Sequence, residues 1–114
     1  MALPHASAGQ SIDVQPLGER LAGAKTVALF KAQDLEVMRL VLQAGKSLPP
    51  HQVAGEITIQ CIEGALDVSV DGRSHVLHAG QLLFLAGGAK HGVTALEDAS
   101  ALVTIALHKP PRAG

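Results

Sequence analysis

The segment Leu66-Asp67-Val68-Ser69-Val70 alternates apolar and polar residues strictly and runs directly into Asp71-Gly72. Alternation with a period of two places every apolar side chain on one face of a strand. An Asp-Gly pair suits a two-residue hairpin whose central residues need positive φ. The segment therefore predicts a half-buried strand entering a tight turn. Other short apolar runs repeat the theme at near-regular spacing: Thr26 to Phe30, Leu35 to Leu42, Ile57 to Ile62, His75 to His78, Leu82 to Leu85, and Ala101 to Leu107. Gly45, Gly64, Gly80, Gly87 and Gly88 fall between the runs, where positive φ or close backbone approach is needed. Many short strands separated by turn signals predict an all-β sandwich or barrel.

At 114 residues the chain has room for one core, and its 47% hydrophobic content is enough to fill it. The core must be aliphatic, because Trp and Tyr are absent and only Phe30 and Phe84 are aromatic. Base-stacking platforms are excluded on that ground. The net charge is −1 and the nine Lys and Arg residues are scattered, so no basic stripe exists for nucleic acid or anionic lipid. Met1-Ala2-Leu3-Pro4-His5-Ala6 lacks the basic start and apolar run of a secretory signal, and no stretch is long and apolar enough to span a bilayer as a helix. Cytoplasmic localisation is the expectation, and the lone Cys61, unable to form an internal disulfide, is compatible with it. Residues 1–25, rich in Ala, Gly and Pro, read as an N-terminal arm, with a single barrel domain over 26–114.

Residues 32–44 carry a competing signal. Leu35, Met38 and Leu42 sit at helical spacing and Gly45 is placed like a C-terminal cap. Strand is nevertheless expected, because Lys31-Ala32-Gln33-Asp34 separates two apolar runs as a hairpin connection would. As a strand, Leu35 to Leu42 shows Leu35, Val37, Arg39 and Val41 on one face and Glu36, Met38, Leu40 and Leu42 on the other. Both faces are mostly apolar, and an antiparallel strand in a lone barrel needs only one dry face. The second face calls for cover from another part of the chain or from a partner subunit, and a homodimer is the economical expectation.

The run from Gly45 through Pro49-Pro50-His51 to Glu63-Gly64 resembles the first motif of the cupins, with both end glycines and the first histidine aligned. Gly80 through Gly88 to His91 is similar to their second motif, with Gly80, Gly88 and His91 at matching positions. Together these stretches span Gly45 to Ala95, a little under half of the chain. The resemblance implies a double-stranded β-helix, a jelly-roll-like barrel around a small interior site. It also implies where a metal would sit in metal-binding members: the four ligand places are held here by His51, Val53, Ile57 and His91. Two imidazoles remain and two ligands have become aliphatic. Ala86 and Ala95 stand where the second motif has proline and asparagine.

A catalytic zinc site uses three protein ligands, and a non-haem iron site uses two histidines with a carboxylate. Glu56 is the one acidic residue near the missing position, but it is one residue out of register. Strand alternation should turn it away from the interior unless a bulge at Gly55 intervenes. Cys61 shares the inward parity of Ile57 but lies about 13 Å further along the strand, and it reads as a small buried apolar residue. His75 and His78, three apart, fall on opposite faces and cannot share an ion, while His5 and His108 read as solvent-facing. The expected site is therefore a pocket of Val53, Ile57, Ile59, Cys61 and His91, with His51 at its rim, taking a small and partly apolar molecule. The competing expectation is a metal-dependent oxygenase, isomerase or decarboxylase holding a divalent transition metal on His51 and His91. Metal-free acid-base chemistry by either histidine ranks last, because no carboxylate at motif spacing orients either ring.

Overall fold

Among the described residues, nine strands account for the runs seen in the sequence and add two that periodicity did not show. The computed structural model describes residues 5–107. The first four residues of the expected arm, His108 and the remaining end of the expected barrel domain lie outside them. The strands are β1 (Val27–Lys31), β2 (Leu35–Leu42), β3 (Ser47–His51), β4 (Ile57–Glu63), β5 (Ala65–Val70), β6 (Arg73–His78), β7 (Leu82–Leu85), β8 (His91–Ala95) and β9 (Ala99–Ala106). They form a five-stranded sheet in the order β1-β2-β9-β4-β7 and a four-stranded sheet in the order β3-β8-β5-β6. All pairings are antiparallel. The all-β expectation holds.

β5 and β6 form the hairpin expected from the alternation. Val70 pairs with Arg73, and Asp71 and Gly72 take φ of 48° and 84° at the turn. This is the doubly positive conformation that an Asp-Gly pair accommodates. Leu66 and Val68 are buried while Asp67 and Ser69 are not, so the period-two pattern predicted the buried face.

β2 is a strand from end to end, paired with β9 from Leu35↔Ala106 to Leu42↔Ala99 and with β1 on its other edge. Two long ladders outweigh the modest helix propensity of residues 32–44. Leu40 enters the core, with Met38 and Leu42 packed against it. On the opposite face Arg39 and Val41 are also buried. The cover over that face comes from the chain's own N-terminal segment, one of the two sources the sequence left open.

That segment is held closely. The Ala6 N–H donates to Leu29 O (2.9 Å) where β1 bulges between Ala28 and Phe30, and Arg39 Nη2 donates to Asp13 O (3.3 Å). A short 3₁₀ turn follows at Gly18–Gly23, with Leu21 buried beneath it. Glu63 fixes the start of this turn: its Oε2 and Oε1 accept the N–H groups of Leu17 (2.9 Å) and Gly18 (3.0 Å), and Oε2 also accepts the Ser100 hydroxyl. Residues 5–25, part of the N-terminal arm expected from composition, form a strap over the outer face of the larger sheet.

The core between the sheets is aliphatic, with Ile59, Leu66 and Val68 its largest fully enclosed side chains alongside Cys61. Among the described residues no helix is long and apolar enough to cross a membrane.

Candidate functional site

The two strands absent from the sequence reading carry the two histidines. β3 is an edge strand containing Pro49 and Pro50, and its pairing with β8 is irregular between Leu48 and His51. Prolines lack the N–H a ladder needs and are accepted at such an edge. The register makes His51 and His91 direct cross-strand partners. Their ring centroids lie 4.5 Å apart with a tilt of 49°. His91 is buried and His51 is exposed, so the pair runs from the interior to the rim.

Each ring leans on the carbonyl two residues before it. His91 Nδ1 is 3.2 Å from Ala89 O, and His51 Nδ1 makes a longer contact of 3.4 Å to Pro49 O. A carbonyl oxygen can only accept, so both contacts favour the proton on Nδ1 and leave Nε2 as the free acceptor of each ring.

Behind the pair is a cavity of about 90 Å³. Val53, Ile57, Ile59 and His91 line it together with His51. Met38 and Leu40 of β2, Val93 of β8, and Val103 and Ile105 of β9 complete much of the wall. The last three were not anticipated, whereas the shared face of Met38 and Leu40 on β2 was legible in the alternation. Apart from the two imidazoles these wall residues are aliphatic or thioether.

Cys61 is a correction to the expected pocket. It is fully enclosed in the core and does not line the cavity, and its Sγ contacts Glu63 O and Gly64 O at 3.5 and 3.6 Å. Burial pushes its thiol above the ordinary value, the Glu63 backbone hydrogen bond opposes this, and the nearby Glu63 and Glu97 charges push the same way as burial. A thiol so placed is an inert packing residue.

Glu56 is the second correction. It is exposed, and its main-chain O accepts the Ala106 N–H at 2.9 Å. No bulge at Gly55 rescues it: the irregularity in β4 lies between Cys61 and Glu63. Gly55 instead packs its bare Cα against β9, where a Cβ would stand 1.8 Å from Ala106 O.

These placements decide how well a resident metal fits. Two imidazoles face each other across β3 and β8, the other two places implied by the cupin motifs hold Val53 and Ile57 in the cavity wall, and Glu56 is turned to solvent. Among the described residues no group of three or more His, Cys, Asp or Glu side chains could hold an ion. The donor set falls short of the three protein ligands of a zinc or non-haem iron centre.

Two antiparallel sheets closed on an apolar cavity with a histidine pair at its mouth define the class, a double-stranded β-helix. The chain belongs to the cupin family, whose cupin domain model matches residues 38–107. Among solved structures, an RmlC-like cupin from Desulfovibrio desulfuricans is 25% identical, with a TM-score of 0.72 over 85% of this chain and 96% of that one. A conserved protein of unknown function from Streptococcus pyogenes, 18% identical, superposes with a TM-score of 0.72 over 98% of this chain and 97% of that one. A salicylate 1,2-dioxygenase from Pseudoaminobacter salicylatoxidans shares the fold at 16% identity and a TM-score of 0.67, over 71% of this chain and 25% of the enzyme. No curated protein matches the sequence.

Proposed function

We propose that this cupin binds a small, partly apolar molecule in the barrel interior, with His51 and His91 orienting its polar end. The observation that carries this reading is the cavity itself: aliphatic walls with two paired imidazoles among the lining residues. Apolar enclosure with a few convergent polar groups is the general form of a ligand site.

Size narrows the ligand. The cavity of about 90 Å³ is smaller than the ~150 Å³ void that accepts a benzene ring. The enclosed part is therefore of the order of a branched four-carbon group. With Nε2 as the free acceptor on each ring, an alcohol or primary amide is the matching head group. Anything longer has to pass His51 and extend into solvent. A ceiling of about 1.5 kcal/mol per non-hydrogen atom limits a five-atom ligand to roughly micromolar affinity at best.

Thermal unfolding of untagged protein against a panel of three- to five-carbon alcohols and amides tests the proposal. At about ten times Kd a true ligand stabilises by ~1.4 kcal/mol, or about 6 °C for a domain of 114 residues. Val103→Leu, which adds a methylene to the cavity wall, should abolish that gain. A panel without effect, or an effect that survives Val103→Leu unchanged, counts against interior binding.

A further inference from the structure

A second cavity, of about 410 Å³, lies between the N-terminal strap and the outer surface of β1 and β2. We propose that it is a binding site for a short-chain carboxylate, with the carboxyl held by Arg39, Arg20 and Lys25 and the alkyl tail lying against Ile12, Val27 and Leu29.

Arg39 is the central observation. It lines this cavity, yet it is only 6% exposed, and its Nη1 is buried with no hydrogen-bond partner. Its Nη2 makes one long bond, 3.3 Å to Asp13 O. A buried guanidinium with an unused donor is costly unless an anion or acceptor completes it. Glu63 is close enough to feel the Arg39 charge, but its carboxylate already accepts three donors, from Leu17, Gly18 and Ser100. Asp13 also lines the cavity, and its Oδ1 accepts the Gln15 N–H at 2.9 Å. Among the lining residues three cationic side chains, Arg20, Lys25 and Arg39, thus stand against one carboxylate, Asp13, with Glu63 near Arg39 but outside the lining.

The chemistry of the walls selects the ligand class. A planar carboxylate matches the fork of a guanidinium, with Arg39 fixed by burial and Arg20 and Lys25 exposed at the rim. Ile12, Leu17, Val27 and Leu29 offer the apolar surface that a bare inorganic anion would not use. The volume lies within the range of ordinary ligand sites, well above that of the interior cavity. The two spaces are kept apart by β2, where Met38 and Leu40 line the interior and Arg39, between them, lines the outer cavity.

Amide-resolved NMR titration of the full chain with sodium hexanoate, with acetate and inorganic phosphate as comparators, tests the site. Saturable hexanoate shifts at Ile12, Val27 and Leu29, with acetate and phosphate at least about tenfold weaker, are expected. The double variant Arg20→Gln/Lys25→Gln alters only exposed positions and should weaken hexanoate about tenfold. Arg39→Gln should remove binding; if that variant fails to fold, the double variant decides. Hexanoate shifts that are absent, unchanged in the double variant, or centred on His51 and His91 overturn the proposal. So does equal binding of acetate and phosphate.

Discussion

Val53 and Ile57 line the cavity beside the histidine pair. If their aliphatic side chains are what removes a metal centre, restoring ligands should rebuild one: Val53→His/Ile57→Glu is expected to bind a divalent transition metal stoichiometrically, with the parent chain as comparator. Without metal the variant should be less stable by several kcal/mol, because Ile57 is buried and a carboxylate there is uncompensated. Metal analysis with melting curves in the presence and absence of nickel checks both halves. Cys61 gives a simpler outcome. Its enclosed thiol should resist alkylation in the native protein and react fully after denaturation. Fast labelling of the native state would contradict its placement.

Glu63 is the residue that composition and motif did not single out. Burial works to raise its carboxyl, but the bonds from Ser100, Leu17 and Gly18, together with the Arg39 charge, outweigh it and hold the group below the ordinary glutamate value. A carboxyl depressed in the folded state contributes stability that is present above the unfolded pKa and lost as pH falls through the folded one. The strap should therefore loosen on acidification below the ordinary glutamate range and stay docked at neutral pH. Hydrogen exchange at the Leu17 and Gly18 amides reads this directly. Glu63→Gln should remove the acid dependence and weaken strap docking by about 1–2 kcal/mol. Its signal in the sequence was slight, a carboxylate beside a motif glycine, because its partners come from positions distant in the chain.

Among the elements, strands with a buried face and a clean alternation were legible and strands without one were not. β5 announced itself through Leu66, Val68 and the Asp71-Gly72 turn, and β2 kept its expected bounds in spite of the helical spacing of Leu35, Met38 and Leu42. β3 is exposed along its whole length and carries two prolines, and β8 contains Gly92 in only five residues, so neither offers a period to read. The motif resemblance found the histidines on these strands where periodicity could not. It could not supply their pairing register, which places one ring beside the other. Gly64 shows what the motif glycines do. Its φ is +76°, and a Cβ would stand 2.1 Å from Asp98 O. Gly64→Ala should cost at least about 2 kcal/mol, from the left-handed backbone together with the clash, measurable as a shift in denaturant midpoint. Gly45→Ala, at φ +84° with open space around it, should cost less.

For the molecule as a whole, the fold was carried by turn spacing and two short motifs, while the location of its cavities depended on contacts between distant segments. The strap illustrates this. Residues 5–25 show weak periodicity, yet they cover the second apolar face of β2 through one hydrogen bond each to Leu29 and Arg39 and two to Glu63. The interior cavity likewise draws on β2, β3, β4, β8 and β9, so no continuous stretch of sequence spells it out. We propose this interior, which lacks a full set of metal ligands, as a small-molecule site resting on its two imidazoles. Amide-resolved NMR of untagged, chelator-treated protein titrated with isobutanol tests it most directly. Saturable shifts at His91, Val93 and Val103 are expected without added metal, and they should be lost in Val103→Leu. Shifts that arise only after a divalent metal is supplied, or none at all, would contradict it.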